Sequence, residues 1–420
     1  MLNNKKTICV VGLGYIGLPT AALLANRGYM VHGVDVVQHT VDIINRGEIH
    51  IVEPGLDTFV HSAVQSGMLK ADLKPTEADV FIIAVPTPFH EGYVPNIDYV
   101  VSATKAIAPY IKEGDIVILE STSPVGTTDK IEEVLAQARP ELFPTINHSL
   151  STINRQKPKV FVSHCPERVL PGRIMIELVE NDRIVGGTTL EATEATVAFY
   201  NTFVEGEVLS TDAKTAEMAK LTENSFRDTN IAFANELSIL CDKFDIDVWE
   251  LIALANRHPR VNILQPGAGV GGHCIAVDPW FIVHAGGDDA KMIRTAREVN
   301  TYKTEWTIEK IKNTALEFEK ANGRKAKVAC MGLAFKPDID DLRESPALYI
   351  TRRLISDGLD VLAVEPNVEN FSEFDIVDYR EALAQADVIT FLVAHKEFKD
   401  LSTIDYRLST DLDFCGVLNG

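Results

Sequence analysis

The first third of the chain alternates short continuous apolar runs with helical apolar periodicity. Ile8 to Val11 is a β-rich apolar run that meets the turn Gly12-Leu13-Gly14-Tyr15-Ile16-Gly17. A helical pattern of Ala and Leu follows to about Asn26, and a second apolar run, Met30 to Val34, ends in Asp35. Ala78–Pro88 reads as a buried strand whose end carries Thr87. Gly114 to Glu120 is another strand, followed by a loop at Ser121–Gly126 and a helix capped by Thr127 or Thr128. Strands that alternate with helices predict an α/β fold with a doubly wound parallel sheet. Ligands of such sheets sit beyond the C-terminal strand ends, which puts Thr87 and the Thr122–Thr127 loop in ligand reach.

The last hundred residues repeat the pattern. A strand in "KAKVACMGL" leads to a loop, a helix from about Ser345 and a strand ending in Glu365; "EALAQADVITFLVAH" then echoes "PTEADVFIIAV". The second copy lacks the three-glycine turn, and its first loop carries Lys336 and Arg343, where such a loop would meet a phosphate. Between the copies, "STDAKTAEMAKLTENSFRDTNIAFANELSILCDKF" contains no Gly or Pro and predicts one helix of about 45 Å. On a helical wheel Lys220, Asn224, Arg227 and Ile231 share one face, while Met218, Leu221, Ala232, Phe233, Leu237 and Leu240 spread over the other. On periodicity alone the polar stripe reads as solvated.

The N-terminal turn adds chemistry to this frame. Strand, Gly-rich turn, helix, second strand and terminal acid occur in the order of a dinucleotide site. There the glycines allow a tight turn and the close approach of a pyrophosphate to the helix N-terminus. Asp35 in that place binds a ribose 2′-hydroxyl and repels a 2′-phosphate; with no Arg in "VDVVQHT", the expected cofactor is NAD rather than NADP. A net charge of −20 over 420 residues argues against nucleic acid and anionic membranes as partners. The N-terminal apolar run stops at Gly12, short of a secretion signal, and no run approaches the length of a membrane span, so a cytoplasmic protein is expected. The six cysteines lie far apart with no CxxC, which argues against a disulfide framework and against a metal.

One cysteine is unusual. "GVGGHCIAVDPW", Gly269 to Trp280, crowds three glycines before His273 and Cys274, as if something approached the backbone closely there. Cys274 can act as a nucleophile if cations such as Lys220 lower its pKa. Asp278 is near enough in sequence to orient a water or a lysine, and Asn224 could donate to a developing oxyanion. An NAD enzyme with such a cysteine could couple hydride transfer from an alcohol to covalent capture of the aldehyde. A one-step β-hydroxyacid-type dehydrogenase needs no such cysteine, and a non-catalytic NAD-binding sensor needs none of these residues together.

Six motifs, "VGLGYIGLPTA", "ESTSPVGTT", "CPERVLPG", "AEMAKLTENSFRDTNIAFANELS", "GVGGHCIAVDP" and "GLAFKPDIDDLRESPA", occur in the order of the UDP-sugar 6-dehydrogenases of the UDP-glucose/GDP-mannose dehydrogenase family. The chain resembles that family along nearly its whole length. The resemblance implies two Rossmann-like doubly wound parallel-sheet domains joined by the long central helix, which also makes a homodimer. The domains fall at 1–205 (NAD binding), 206–315 (central, with the cysteine loop) and 316–420 (UDP-sugar binding). It further implies Cys274 as the nucleophile that forms a thiohemiacetal and then a thioester, and Lys220 as proton donor and acceptor at the C6 hydroxyl. Asn224 and Asp278 would be its hydrogen-bonding partners, and Glu167 the acid of thioester hydrolysis. Arg168, Val169, Lys220, Asn224, Arg227, His258, Arg260, Gly271, Phe335 and Lys336 match substrate contacts, and Arg343 a cofactor contact. With His273 before the cysteine and Val277 before Asp278, the chain is similar to the N-acetylhexosamine branch; the UDP-glucose branch has a lysine in place of Val277. The implied reaction is a C6 oxidation of UDP-N-acetyl-D-mannosamine by two NAD, for surface polysaccharide synthesis. UDP-N-acetyl-D-glucosamine is the alternative substrate.

Overall fold

The computed structural model describes residues 6–143, 159–272, 274–368, 371–399 and 410–418. The chain forms two compact units, residues 1–221 and 222–420. The first unit begins with β1 (Thr7–Val11), α1 (Gly17–Asn26), β2 (Met30–Val34), α2 (Gln38–Asn45), α3 (Leu56–Gln65), β3 (Leu69–Asp72) and β4 (Val80–Ile83). A two-rung hairpin of β5 (Phe89–His90) and β6 (Val94–Pro95) precedes α4 (Asp98–Ile107), β7 (Ile116–Leu119) and α5 (Thr127–Ala138). Then come β8 (Phe161–His164), α6 (Ile174–Glu180), β9 (Arg183–Gly187), α7 (Leu190–Tyr200), β10 (Val208–Asp212) and the start of α8 (Ala213–Phe244).

The strands form one sheet in the order β3-β2-β1-β4-β7-β8-β9-β10. From β3 to β8 every pair is parallel, the doubly wound arrangement expected from the sequence. The direction of winding reverses between β1 and β4, the place where such sheets open a crevice. β4 and β7 are buried at every residue because helices cover both faces. Ile8 and Val10 of β1 enter one core layer, and Cys9 and Val11 enter the other. The sheet is not wholly parallel: β9 runs antiparallel to β8, through Ser163↔Gly187 and His164↔Gly186.

Three local expectations are corrected. The strand expected over Ala78–Pro88 ends at Ile83, since Pro86 and Pro88 have no N–H for a ladder; Thr87 lies in the loop beyond it. Neither Thr127 nor Thr128 caps α5. Its cap position is Gly126, at φ +94°, and the acceptor comes from far along the chain. Glu217 of α8, fully buried, accepts from Gly126 N at 2.6 Å, Thr128 N at 2.7 Å and Thr128 Oγ1 at 2.6 Å.

The third correction concerns α8, which reaches its expected length of 32 residues but presents different faces. In the second unit its apolar Phe226, Phe233, Leu240 and Phe244 are exposed, while Asn224, Ser225, Asp228, Asn235 and Ser238 are buried. The partners of Asp228, Asn235 and Ser238 lie on α11 (Lys291–Asn322). Arg297 Nη1 donates to Asp228 Oδ1 at 2.6 Å, Asn300 Nδ2 donates to the same oxygen at 2.8 Å, and Lys303 Nζ donates to Ser238 Oγ at 2.8 Å. Buried polar groups that satisfy one another overrule the polar-outside expectation.

The second unit also holds α9 (Val248–Ala255), α10 (Asp278–Gly286), β11 (Lys327–Met331), α12 (Pro346–Ser356), β12 (Asp360–Val364), α13 (Tyr379–Gln385), β13 (Val388–Phe391) and β14 (Thr410–Asp413). Its sheet, β12-β11-β13-β14, is parallel throughout. α12 starts where the sequence predicts, at about Ser345, which caps it by accepting from Leu348 N at 3.3 Å. Among the described residues no helix is long and apolar enough to cross a membrane.

Candidate functional site

In the first unit, the predicted cofactor residues follow the C-terminal ends of neighbouring strands. Gly12 stands at φ +92°, and a Cβ there would fall 2.5 Å from the carbonyl oxygen of Ala84. A Cβ on Gly17 would fall 1.8 Å from Gly12 O. These two glycines are imposed by the turn itself. Gly14 is different: a Cβ there would meet nothing within 4 Å, so the space beside it is open. Tyr15 is exposed and Ile16 half-buried. α1 starts at Gly17 with no side-chain cap and no acid in its first turn, which leaves its N-terminal dipole to an anion. Asp35 Oδ2 accepts from Leu13 N at 3.1 Å and Oδ1 from Val37 N at 3.0 Å, which fixes a half-buried carboxylate beside the turn. Open space at Gly14, an uncapped helix and a fixed acid fit a dinucleotide's pyrophosphate and ribose. Thr87 Oγ1 donates to Thr122 O at 2.7 Å and Thr127 Oγ1 to Pro124 O at 2.6 Å, so both threonines brace the loop between β7 and α5.

Glu167 follows β8, buried. Its Oε2 accepts from Arg183 Nη1 at 2.6 Å and its Oε1 from the amide of Arg168 at 2.6 Å. Arg168 is half-buried, with Nη1 donating to Asp182 O at 3.2 Å, and Val169 packs against the core of the sheet. Lys220 is half-buried on α8, one helical turn before Asn224.

In the second unit Asn224 Nδ2 donates to Asp278 Oδ2, both side chains being buried. Asp278 opens α10, and Cys274 stands in the turn that leads into it: Val277 N and Asp278 N donate to Cys274 O at 3.1 and 2.9 Å. Cys274 is exposed; Cys9, Cys165, Cys241 and Cys330 are buried and Cys415 half-buried. His273 lies outside the described residues.

The glycines before Cys274 have a cause that the sequence did not reveal. A Cβ on Gly271 would fall 2.5 Å from Glu344 O and 2.9 Å from the Cβ of Phe335. One on Gly269 would fall 2.2 Å from Thr304 Oγ1, and one on Gly272 2.9 Å from the Phe335 ring. At Gly271 and Gly272 the close approach is made by the chain's own first loop after β11, so Phe335 and the Cys274 loop are packed together. Lys336 is exposed next to Phe335, and Arg343 is exposed and paired with Asp341 at 2.6 Å. Arg227, His258 and Arg260 are exposed, and the amide of Arg260 donates to His258 Nδ1 at 3.3 Å. Sequence reasoning missed Glu217, Glu120 and Arg183: the first two stand inside quoted motifs and Arg183 in none, and their partners are not sequence neighbours.

Residues 6–204, 214–302 and 329–415 match the NAD binding, central and UDP binding domains of the UDP-glucose/GDP-mannose dehydrogenase family. The chain belongs to that family and is an NAD-dependent dehydrogenase that oxidises a UDP-sugar. It is 56% identical over 412 residues to a UDP-N-acetyl-D-mannosamine dehydrogenase of Campylobacter jejuni, covering 96% of this chain and 98% of the relative. It is 53% identical over 418 residues to an NDP-N-acetyl-D-galactosaminuronic acid dehydrogenase of Ralstonia nicotianae, covering 98% and 96%. Among solved structures, a UDP-D-ManNAc dehydrogenase of Pyrococcus horikoshii superposes with a TM-score of 0.85 at 37% identity, covering 98% of this chain and 96% of that one.

Proposed function

We propose that the chain oxidises UDP-N-acetyl-D-mannosamine at C6 to the uronate, a product used in surface polysaccharide synthesis. One sugar, one water and two NAD⁺ give one carboxylate, two NADH and three protons. The observation that carries this reading is the exposed Cys274 in the same turn as the buried Asn224–Asp278 pair. The exocyclic carbon of a hexose needs a nucleophile to reach the acid level, and a simple alcohol dehydrogenase needs none.

NAD, when bound, takes one hydride in each oxidation; Gly12, Gly14, Tyr15, Ile16, Gly17 and Asp35 would hold it, with Thr87, Thr122, Thr127 and Arg343. Lys220 takes the C6 hydroxyl proton in the first oxidation, and Asn224 and Asp278 orient it. Cys274 Sγ then adds to the aldehyde carbon, giving a thiohemiacetal, and the second oxidation leaves a thioester. Glu167 is the acid of thioester hydrolysis: water attacks the thioester carbonyl, the C–S bond breaks, and the thiolate of Cys274 departs. Arg168, Val169, Arg227, His258, Arg260, Gly271, Phe335 and Lys336 would hold the nucleotide sugar. The three segments 1–205, 206–315 and 316–420 are assigned to cofactor, dimer formation with the cysteine loop, and UDP-sugar. The exposed stripe Phe226, Phe233 and Leu240, at heptad spacing on α8, supports a homodimer through that helix. A cytoplasmic setting fits a thiol nucleophile that must stay reduced.

The test is NADH release counted against product mass for UDP-N-acetyl derivatives of mannosamine, glucosamine and galactosamine. The expected result is two NADH per sugar and the highest kcat/KM for the mannosamine compound. Preference for either other sugar rejects the substrate, and one NADH per sugar rejects the four-electron scheme. Cys274→Ala is expected to make no uronate.

A further inference from the structure

Behind Glu167 lies a set of buried charges that the reaction above leaves unused. β7 delivers Glu120 just past its last residue, β8 delivers Cys165 and Glu167, and β9 begins with Arg183. Glu120 and Arg183 are each 1% exposed and Glu167 is 6% exposed. Arg183 spends its donors on Glu167 Oε2 at 2.6 Å and Leu178 O at 3.0 Å, and its guanidinium carbon lies 5.5 Å from the centre of the Tyr200 ring. Glu120 is held by neutral hydroxyls instead: Thr20 Oγ1 at 3.3 Å and Tyr200 OH at 3.4 Å. The two glutamates are adjacent, with Glu167 N donating to Glu120 O at 3.4 Å.

Two buried carboxylates share one guanidinium here. A second ionised carboxylate would be uncompensated, and such a group keeps a proton rather than bear that cost. The proton belongs on the carboxyl that lacks the charge-assisted bond, which is Glu120. We propose that Arg183 and Glu120 are positioning residues for Glu167: Arg183 holds the Glu167 carboxyl group in one orientation, and Glu120, kept a neutral acid by its burial beside Glu167 and oriented by Thr20 and Tyr200, leaves Arg183 undivided. The inference rests on the reading that Glu167 serves thioester hydrolysis.

Burial and the neighbouring Glu167 push the Glu120 carboxyl up to about 8, with Arg183 pulling the other way. The groups that face it are Cys165 and Glu167 after β8, Arg183 on β9, Tyr200 on α7 and the hydroxyl of Thr20 on α1. Burial pushes Cys165 up to about 12 and raises Tyr200 well above its ordinary value, so both keep their protons near neutrality. Above pH 8 Glu120 ionises, competes for Arg183 and loosens its hold on Glu167.

The experiment is single-turnover acyl-enzyme hydrolysis, followed by intact mass of quenched protein, with UDP-N-acetyl-D-mannosamine and NAD at pH 7 and pH 9. A group titrating near 8 is about tenfold less protonated at pH 9 than at pH 7. The ratio of hydrolysis rates, pH 9 over pH 7, should therefore be about tenfold higher in Glu120→Gln than in the native enzyme. Tyr200→Phe removes a hydroxyl that favours the ionised form of Glu120, so it should move the alkaline fall to higher pH; this variant carries the test if Glu120→Gln does not fold. A native pH ratio in Glu120→Gln, or an unmoved fall in Tyr200→Phe, overturns the proposal. Glu167→Gln separates the two readings: if it accumulates no acyl-enzyme, the role of Glu167 is wrong. If it accumulates acyl-enzyme while Glu120→Gln keeps the native pH ratio, only the positioning proposal fails.

Discussion

Glu217 is the sharpest point at which to perturb the cofactor loop. It is fully buried, yet its two oxygens serve the amides of Gly126 and Thr128 and the hydroxyl of Thr128. Glu217→Ala removes all three acceptors. The hydroxyl can turn elsewhere, but two backbone N–H groups at the start of α5 are left without partners, at about 1–3 kcal/mol each. Removal of a desolvated carboxyl returns part of this, so we expect a net loss of about 3 kcal/mol. Burial raises the carboxyl of Glu217 against the pull of its hydrogen bonds, so in the folded chain the charge itself is a cost and the oxygen atoms are the benefit. Glu217→Gln keeps one oxygen and should cost only about 1 kcal/mol.

The sign of the pH dependence follows from the same shift. A carboxyl raised above its unfolded value binds more protons in the folded state. Stability therefore falls as pH rises from the ordinary glutamate value through the raised one, and Glu217→Gln lacks that fall. The assay is hydrogen exchange of peptides across residues 126–138, with the KM for NAD measured in parallel. At pH 7 Glu217→Ala should lose about a hundredfold protection there, since each 1.4 kcal/mol is tenfold, and its KM should rise several-fold as the Thr122–Gly126 loop loosens. Protection within about threefold of native in Glu217→Ala would refute the capping argument.

Gly271→Ala places a Cβ 2.5 Å from the backbone oxygen of Glu344 and 2.7 Å from Pro346 Cδ, neither of which can swing aside; displacement of the Cys274 loop by about 1 Å should cost roughly a hundredfold in kcat, and near-native turnover would contradict the packing account. Phe233→Glu, in the exposed stripe of α8, should shift the protein from dimer to monomer in sedimentation velocity; an unchanged sedimentation coefficient would put the interface elsewhere. Burial pulls the Lys303 amine down to about 7, with Asp242 opposing, so the unfolded chain binds more protons between pH 7 and the ordinary lysine value and stability should rise with pH across that window. Lys303→Met should flatten that rise and add about 1–4 kcal/mol at pH 7, as read by denaturant midpoints at several pH values.

The parts of the fold that were legible in the sequence are those decided locally. The turn from Gly12 to Gly17 and the acid at Asp35 follow from backbone sterics within one β-α-β unit, and the length of α8 follows from the absence of breakers. What local pattern could not show was decided by distant partners. Of the Lys220, Asn224 and Arg227 stripe that looked solvated, Arg227 is exposed and Lys220 half-buried, but the wheel does not see Asp278, which pairs with the buried Asn224, nor Arg297, Asn300 and Lys303, which pair with Asp228, Asn235 and Ser238 on the same helix. A threonine at a helix start looked like a cap because Glu217 lies 89 residues further on. The antiparallel β9 had no signal, since a five-residue strand of one Arg, Ile184, Val185 and two glycines fits either direction. Of the site, the thiol, its acid and its amide were readable as residue types; their arrangement, with Asn224 bonded to Asp278, needed the fold.

The two nucleotide-type sheets show why only one carries a dinucleotide turn. Both first strands end in a glycine at positive φ, with Gly12 N donating to Val34 O at 2.8 Å and Gly332 N to Val364 O at 2.9 Å. Both second strands end in an acid that accepts from the turn: Asp35 from Leu13 N, and Glu365 from Leu333 N and Ala334 N at 2.8 and 2.9 Å. Asp35 stays half-buried, whereas Glu365 is 3% exposed and also accepts from Asn367 N at 3.0 Å and bonds His395 Nε2 at 3.1 Å. Against the desolvation that would raise it, His395 and these amides pull the Glu365 carboxyl down to about 2. An acid so occupied has no lone pair to offer a ribose. Where the first turn leaves open space at Gly14, the second has buried Leu333 and Ala334 and then Phe335, whose ring and Cβ lie against Gly272 and Gly271. The second copy has thus turned its phosphate loop into the support of the cysteine loop.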